Sequence, residues 1–377
     1  MNQTQYQKIF DNTFKNRGGL LQTELLGRDL NSILSHYKRR ADAYIESFRN
    51  HESLKKDIPN IYFDYIDNAY FNAVASISSE GIYLIGLNVG SVIIIYDLFF
   101  RMLANPNILQ HIGMSSLEKN VQPTIRNYYT DANLMLIYGD FDYNKYQMAI
   151  PLDKVRQIYA RHLVDIAIDF LVAHELTHII NGHIDYLNEK SDISEYEERI
   201  FVYNENDVLT RQTLEMDADS LAVSKGLANA IRRHLGEQKV SEDRKPFYSS
   251  FNDTVFNWGL AVLSMIRVWV ECNVYKTVNS KILTHPHPRL RQVMILATVH
   301  EYLLNYYPVQ YKDFEKEIFG EIIKTVELTY NSVTGKNIDK DEFLRAIKSG
   351  EEYVPKVLQH WENIRKDLLK NSYVELV

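Results

Sequence analysis

The stretch Phe170-Leu-Val-Ala-His-Glu-Leu-Thr-His-Ile-Ile-Asn-Gly-His183 constrains this chain more than any other. Residues four apart on a helix lie one above the other on a single face, with Cβ atoms roughly 5–6 Å apart, so His174 and His178 can reach one metal ion. Glu175 lies about a hundred degrees round the helix, poorly placed to share that ion but well placed to hold a water in an open coordination position. The flanking residues are mostly apolar, so the helix would be buried, and a buried imidazole pair needs a partner. Zinc held by three protein groups brings the pKa of a water in the fourth position down to about 7, and a neighbouring carboxylate can take the proton as that water attacks a carbonyl. The pattern predicts a catalytic zinc site suited to amide hydrolysis. Asn181-Gly182 reads as a helix stop, with Gly182 in the left-handed conformation and His183 beyond it.

Such a site wants a third protein ligand. In Thr210–Ala222 the apolar residues Leu214, Ala218, Leu221 and Ala222 fall at helical spacing, which puts Glu215 and Asp219 on one face. Glu215 can complete the ligand set, and Asp219 can hold the far ring nitrogen of a ligating histidine. Two other readings stay open: a solvated acidic face, and His183 as third ligand if the helix stop swings it back to the metal.

With 377 residues, 45% of them hydrophobic, the chain can bury a large core. A net charge of −7 offers no basic field for nucleic acid, so no nucleic-acid partner is expected. The single cysteine, Cys272, excludes an intrachain disulfide and points to a reducing compartment. The N-terminus lacks a continuous apolar run with a small-residue cleavage site, so a cytoplasmic location is expected. The most membrane-like run, Ile82 to Tyr96, is interrupted by Asn88 and Ser91 and is too short to span, so no membrane span is expected.

Residues 1–58 read as a helical N-terminal extension, with Leu30, Ile33, Leu34 and Tyr37 at helical spacing. Residues 59–307 form the expected catalytic domain, within which 105–150 is an irregular insertion. The run from Gly81 to Leu87 reads as a strand, followed by a helix from about Ser91 to Ala104. Pro151 can open the long helix that carries the histidines. The acidic stretch from Asp185 to Asp207 reads as a solvated loop, and Val255 to Ile266 as a core helix. A helix from Arg291 to Tyr306 follows. Residues 308–377 form a helical C-terminal extension, broken at Gly335 and Gly350, that could cap the domain, dock a partner or complete the core.

His-Glu-x-x-His followed by Glu-x-x-Ala-Asp, here Glu215-Met-Asp-Ala-Asp219, resembles the gluzincin metallopeptidases. The similarity is to the branch holding the CAAX prenyl endopeptidases, the HtpX-type peptidases and the soluble minigluzincins. Asn72-Ala73-Val74-Ala75 resembles the segment preceding that branch's active-site edge strand, and His285-Pro286 with Arg291 resembles its His-Pro-x-x-x-x-Arg. The resemblance implies a zincin-like domain of α+β class, mostly helical, with a small sheet, an active-site helix and a glutamate helix. It implies one zinc held by His174, His178 and Glu215, with Asp219 supporting the site. His285 and Arg291 are expected to line the cleft, where a positive group could stabilise an oxyanion. An extended substrate is expected to pair with an edge strand from Ile82 to Leu87, with Asn72, Ala73, Ile82 and Leu84 as substrate-binding residues. The metzincin pattern is excluded, because the positions it needs as Gly and His hold Asn181 and Ile184.

The expected function is therefore a zinc-dependent endopeptidase acting on intracellular proteins or peptides, with Glu175 as general base. Its alternatives are a zinc hydrolase of a non-peptide amide and a non-catalytic interaction protein stabilised by zinc. Narrow specificity is expected, with the roughly 45-residue insertion and the helical tail as candidates for restricting access.

Overall fold

The computed structural model describes residues 1–49, 54–119, 149–190, 205–272, 286–312 and 317–376. The amphipathic N-terminal pattern forms two helices. α1 (Gln3–Phe14) is opened by Asn2 in a capping box with Gln5. α2 (Arg28–Arg49) buries Leu30, Leu34, Tyr37, Ala41 and Ile45, the three-and-four spacing of one helical stripe.

β1 (Ile61–Ile66), β2 (Ala73–Ile77) and β3 (Tyr83–Asn88) form a mixed sheet in the order β1-β3-β2, with β1 parallel and β2 antiparallel to β3. Alternate side chains divide between the faces. Phe63, Tyr65, Ala75, Ile85 and Leu87 enter the main core, whereas Ile66, Val74, Ile82 and Leu84 meet Phe10 and Phe14 of α1. This corrects the expectation that Ile82–Leu87 is an edge. The run is apolar throughout because β3 is the central strand, paired on both sides and buried on both faces.

α3 (Val89–Leu103) leaves β3 without a loop. α4 (Lys154–Ile180) starts after Pro151, with Asp153 rather than the proline as its cap, accepting from Arg156 N. Arg156 then pins the start of the insertion, since its guanidinium donates to the carbonyls of Leu103, Asn105, Ile108, Leu109 and Ile112. The part of the insertion at 120–148 lies outside the described residues. Past the helix stop come α5 (His183–Lys190) and α6 (Glu205–His234). The stretch expected as a solvated loop is thus helical at its described ends, and it is anchored there: Tyr186 and Leu187 are buried, and Asp185 accepts from the Tyr83 hydroxyl.

α7 (Phe251–Cys272) is the expected core helix. α8 (Pro288–Tyr306), α9 (Pro308–Lys312), α10 (Glu317–Thr334) and α11 (Lys340–Asn371) complete the described chain. Gly335, at φ +69°, ends α10 as expected. Gly350 breaks nothing; it lies inside α11, where even an added Cβ would meet Leu290 of α8 only at ordinary van der Waals distance. Val326 and Val333 of α10 and Leu368 of α11 belong to the same core as Ile85 and Leu171, so the C-terminal helices complete that core. The result is an α+β fold, mostly helical, around one small sheet. Among the described residues, no helix is long and apolar enough to cross a membrane.

Candidate metal centre

α4 and α6 pack together in the centre of the protein, and their facing residues converge on one point. His174 Nε2 lies 3.1 Å from His178 Nε2. The Glu215 carboxylate oxygens lie 3.4 Å from His174 Nε2 and 3.3 Å from His178 Nε2. For metal–ligand distances of about 2.0–2.1 Å, the corners of a tetrahedron are about 3.3–3.4 Å apart, so the three groups fit a zinc-sized ion. All three side chains are buried.

Electrostatics point the same way. Glu175, Glu215 and Asp219 are buried carboxylates gathered near the buried guanidinium of Arg291. Burial disfavours a charged imidazole at His174, but Glu215 and Asp219 outweigh it and raise the pKa to about 9. His178 goes the other way: burial outweighs the pull of Glu215 and takes its pKa down to about 3. The pocket thus demands positive charge, and a divalent cation meets the demand that a proton on His174 otherwise meets.

The outward-facing ring nitrogens are also held. His174 Nδ1 is 2.9 Å from Asp219 Oδ1, as expected, and Asp219 in turn accepts two hydrogen bonds from Arg291. Burial raises the Asp219 pKa, yet Arg291 and His174 together hold it below the usual carboxylate range. His178 Nδ1 is 2.9 Å from His183 Nδ1, and His183 Nε2 is 2.9 Å from Asp217 Oδ2. Both ring nitrogens of His183 are thereby turned to His178 and Asp217, so Glu215 and not His183 joins the pair on the third side. The Asp217 contact was missed from the sequence; its only signal there is an extra carboxylate between Glu215 and Asp219.

Three expectations for the cleft need correction. Arg291 is buried, donates to Asp219 through Nε and Nη2, and lies over the Trp269 ring at 4.5 Å; it stands behind His174 on the Nδ1 side and does not line a cleft at Nε2. Ile82 and Leu84 face Phe10 and Phe14 in a core cluster, where no substrate backbone can pair with them. Asn72 is bound to α3, its N–H donating to Ser91 Oγ and its carbonyl accepting from the Ser91 hydroxyl. Ala73 begins β2, the strand at the sheet edge packed against α4. His285 lies outside the described residues. On the α6 side, Tyr353 of α11 donates its hydroxyl to Gln212, one turn before Glu215, and burial pushes its phenol pKa up with help from the Glu215 charge.

No family model, curated protein or solved structure matches the chain.

Proposed function

We propose that this chain is a zinc-dependent endopeptidase of zincin-like architecture, related to the gluzincins through His-Glu-x-x-His and Glu-x-x-Ala-Asp. The observation that carries the proposal is the buried triangle of His174, His178 and Glu215, whose ligand atoms stand 3.1–3.4 Å apart. Bound zinc would supply Lewis acidity, polarising an amide carbonyl and lowering the pKa of a water. Glu175, adjacent to His174 on α4, would take the proton from the attacking water and pass it to the amide nitrogen as the C–N bond breaks. His174, His178 and Glu215 make three ligands, whereas a purely structural zinc site closes with four and has no use for a base.

Expressing wild type beside Glu175→Gln, with zinc content checked in both, and mapping new protein N-termini across the proteome tests the reading. New termini should accumulate with wild type alone. Identical sets from the two chains would overturn it.

A further inference from the structure

We infer that His183 and Asp217 form a relay that fixes the tautomer of His178, which makes His183 a positioning residue for the metal centre. The inference rests on the metal site described above and deepens it. The argument is a count of hydrogens along one line of contacts. Asp217, as a carboxylate, can only accept, so the hydrogen in the 2.9 Å contact with His183 belongs to His183 Nε2. A neutral imidazole carries one hydrogen, so His183 Nδ1 is a lone pair. The 2.9 Å contact between His183 Nδ1 and His178 Nδ1 must then use the hydrogen of His178 Nδ1. That leaves the lone pair of His178 on Nε2, the nitrogen 3.3 Å from Glu215. Metal ligation by Nε2 requires that tautomer.

The local sequence builds this relay in consecutive residues. Asn181 caps the end of α4 and donates from Nδ2 to Asp217 Oδ2 at 2.5 Å, pinning the terminal carboxylate. Gly182, at φ +76°, turns the chain. His183 opens α5 and is fully buried at 0% exposure. Thus the helix stop, which in sequence only ends α4, also supplies the support for the second histidine. α6 holds both imidazoles in place by different means: Asp219 bonds His174 directly, and Asp217 reaches His178 through His183.

The test uses the full chain, with zinc affinity measured by chelator competition and the visible spectrum of the cobalt(II) form as readouts. His183→Leu fills the space and removes the acceptor for His178 Nδ1, and its zinc affinity should fall about 10–100-fold with an altered cobalt spectrum, the usual scale for losing an outer partner of a metal ligand. His183→Gln can accept from His178 and donate to Asp217 through one amide, and it should recover most of the affinity at similar melting temperature. Asp217→Ala, at a part-exposed position, gives a second readout if the Leu variant fails to fold, and should weaken zinc in the same direction. Wild-type zinc affinity and an unchanged cobalt spectrum in both Asp217→Ala and His183→Leu would overturn the inference. These readouts need no substrate, so they are independent of whether the chain cleaves peptides. A wild-type chain that takes up no zinc would overturn both readings.

Discussion

Arg291 grips Asp219 through two hydrogen bonds, Nε to Oδ2 at 2.6 Å and Nη2 to Oδ1 at 2.7 Å, and Asp219 passes that order on to His174 Nδ1. Both partners are buried, so removing the guanidinium leaves a buried carboxylate with neither solvent nor its bidentate partner, and only the His174 ring to pair with. Arg291→Ala should lower stability by about 3–5 kcal/mol, the scale for breaking a buried pair. Zinc affinity should fall with it, because His174 loses its support. A chemical-denaturation midpoint close to wild type would sink this account of Arg291.

Glu215→Ala should weaken zinc more than any change at Asp217 or Asp219, by over about 100-fold, since losing an outer partner alone costs about 10–100-fold. Metal analysis after gel filtration reads this directly. Full zinc retention would move the third ligand elsewhere.

The convergence of His174, His178 and Glu215 on one candidate site was largely legible because helical spacing acts over a few residues: His174 with His178, and Glu215 with Asp219, each sit one turn apart. Sheet order was not legible for the opposite reason. The continuous apolar run in Tyr83–Asn88 says that both faces are buried, but pairing partners are set by chain segments far away, so a central strand looked like an edge. Arg291 was misplaced on similar grounds, since a charge in a sequence does not declare its partner. Gly350 read as a break because glycine is a weak helix former, but the packing of α11 on α8 and α6, set by distant parts of the chain, carries the helix through it. The C-terminal helices, amphipathic in sequence, gave no sign of which core they completed.

Gly182 joins the metal helix to the chain end. At φ +76° a side chain is strained, and a Cβ would come within 2.7–2.8 Å of Asn371 and Ser372 backbone and side-chain atoms. The neighbouring Tyr373 N–H donates to the Ile180 carbonyl at 2.7 Å, so the tail seals the end of α4. Gly182→Ala should cost about 1–3 kcal/mol for the backbone and more for the clash. In a chain ending at Lys370 both clash partners, Asn371 and Ser372, are gone, so the two changes together should cost less than their sum. Strict additivity in urea denaturation would show that the tail does not press on this turn.

His162 makes the stability of this fold depend on pH. It lies in α4 stacked on Phe247, with ring centroids 5.2 Å apart, and edge-on to Tyr248; its Nε2 has no hydrogen-bond partner among the described residues. Burial lowers its pKa to about 3, with nearby arginines adding to the effect and Asp165 opposing it. An unfolded histidine titrates near 6.5, so between these values the unfolded chain binds a proton that the folded chain refuses. The stabilisation is fully present above about pH 6.5, declines as pH falls, and levels off below about 3, for a total of at most about 5 kcal/mol. A phenylalanine ring in its place keeps the aromatic packing and cannot titrate, so His162→Phe should lose stability less steeply on acidification than wild type. Carboxylates such as Asp165, whose pKa burial raises but His36, Arg40 and Arg244 pull well below the usual range, act in both chains, and the difference between the two curves isolates His162. Urea midpoints measured from about pH 7.5 to 4.5 decide the matter: parallel curves would mean that His162 is protonated as readily in the folded protein as in the unfolded chain.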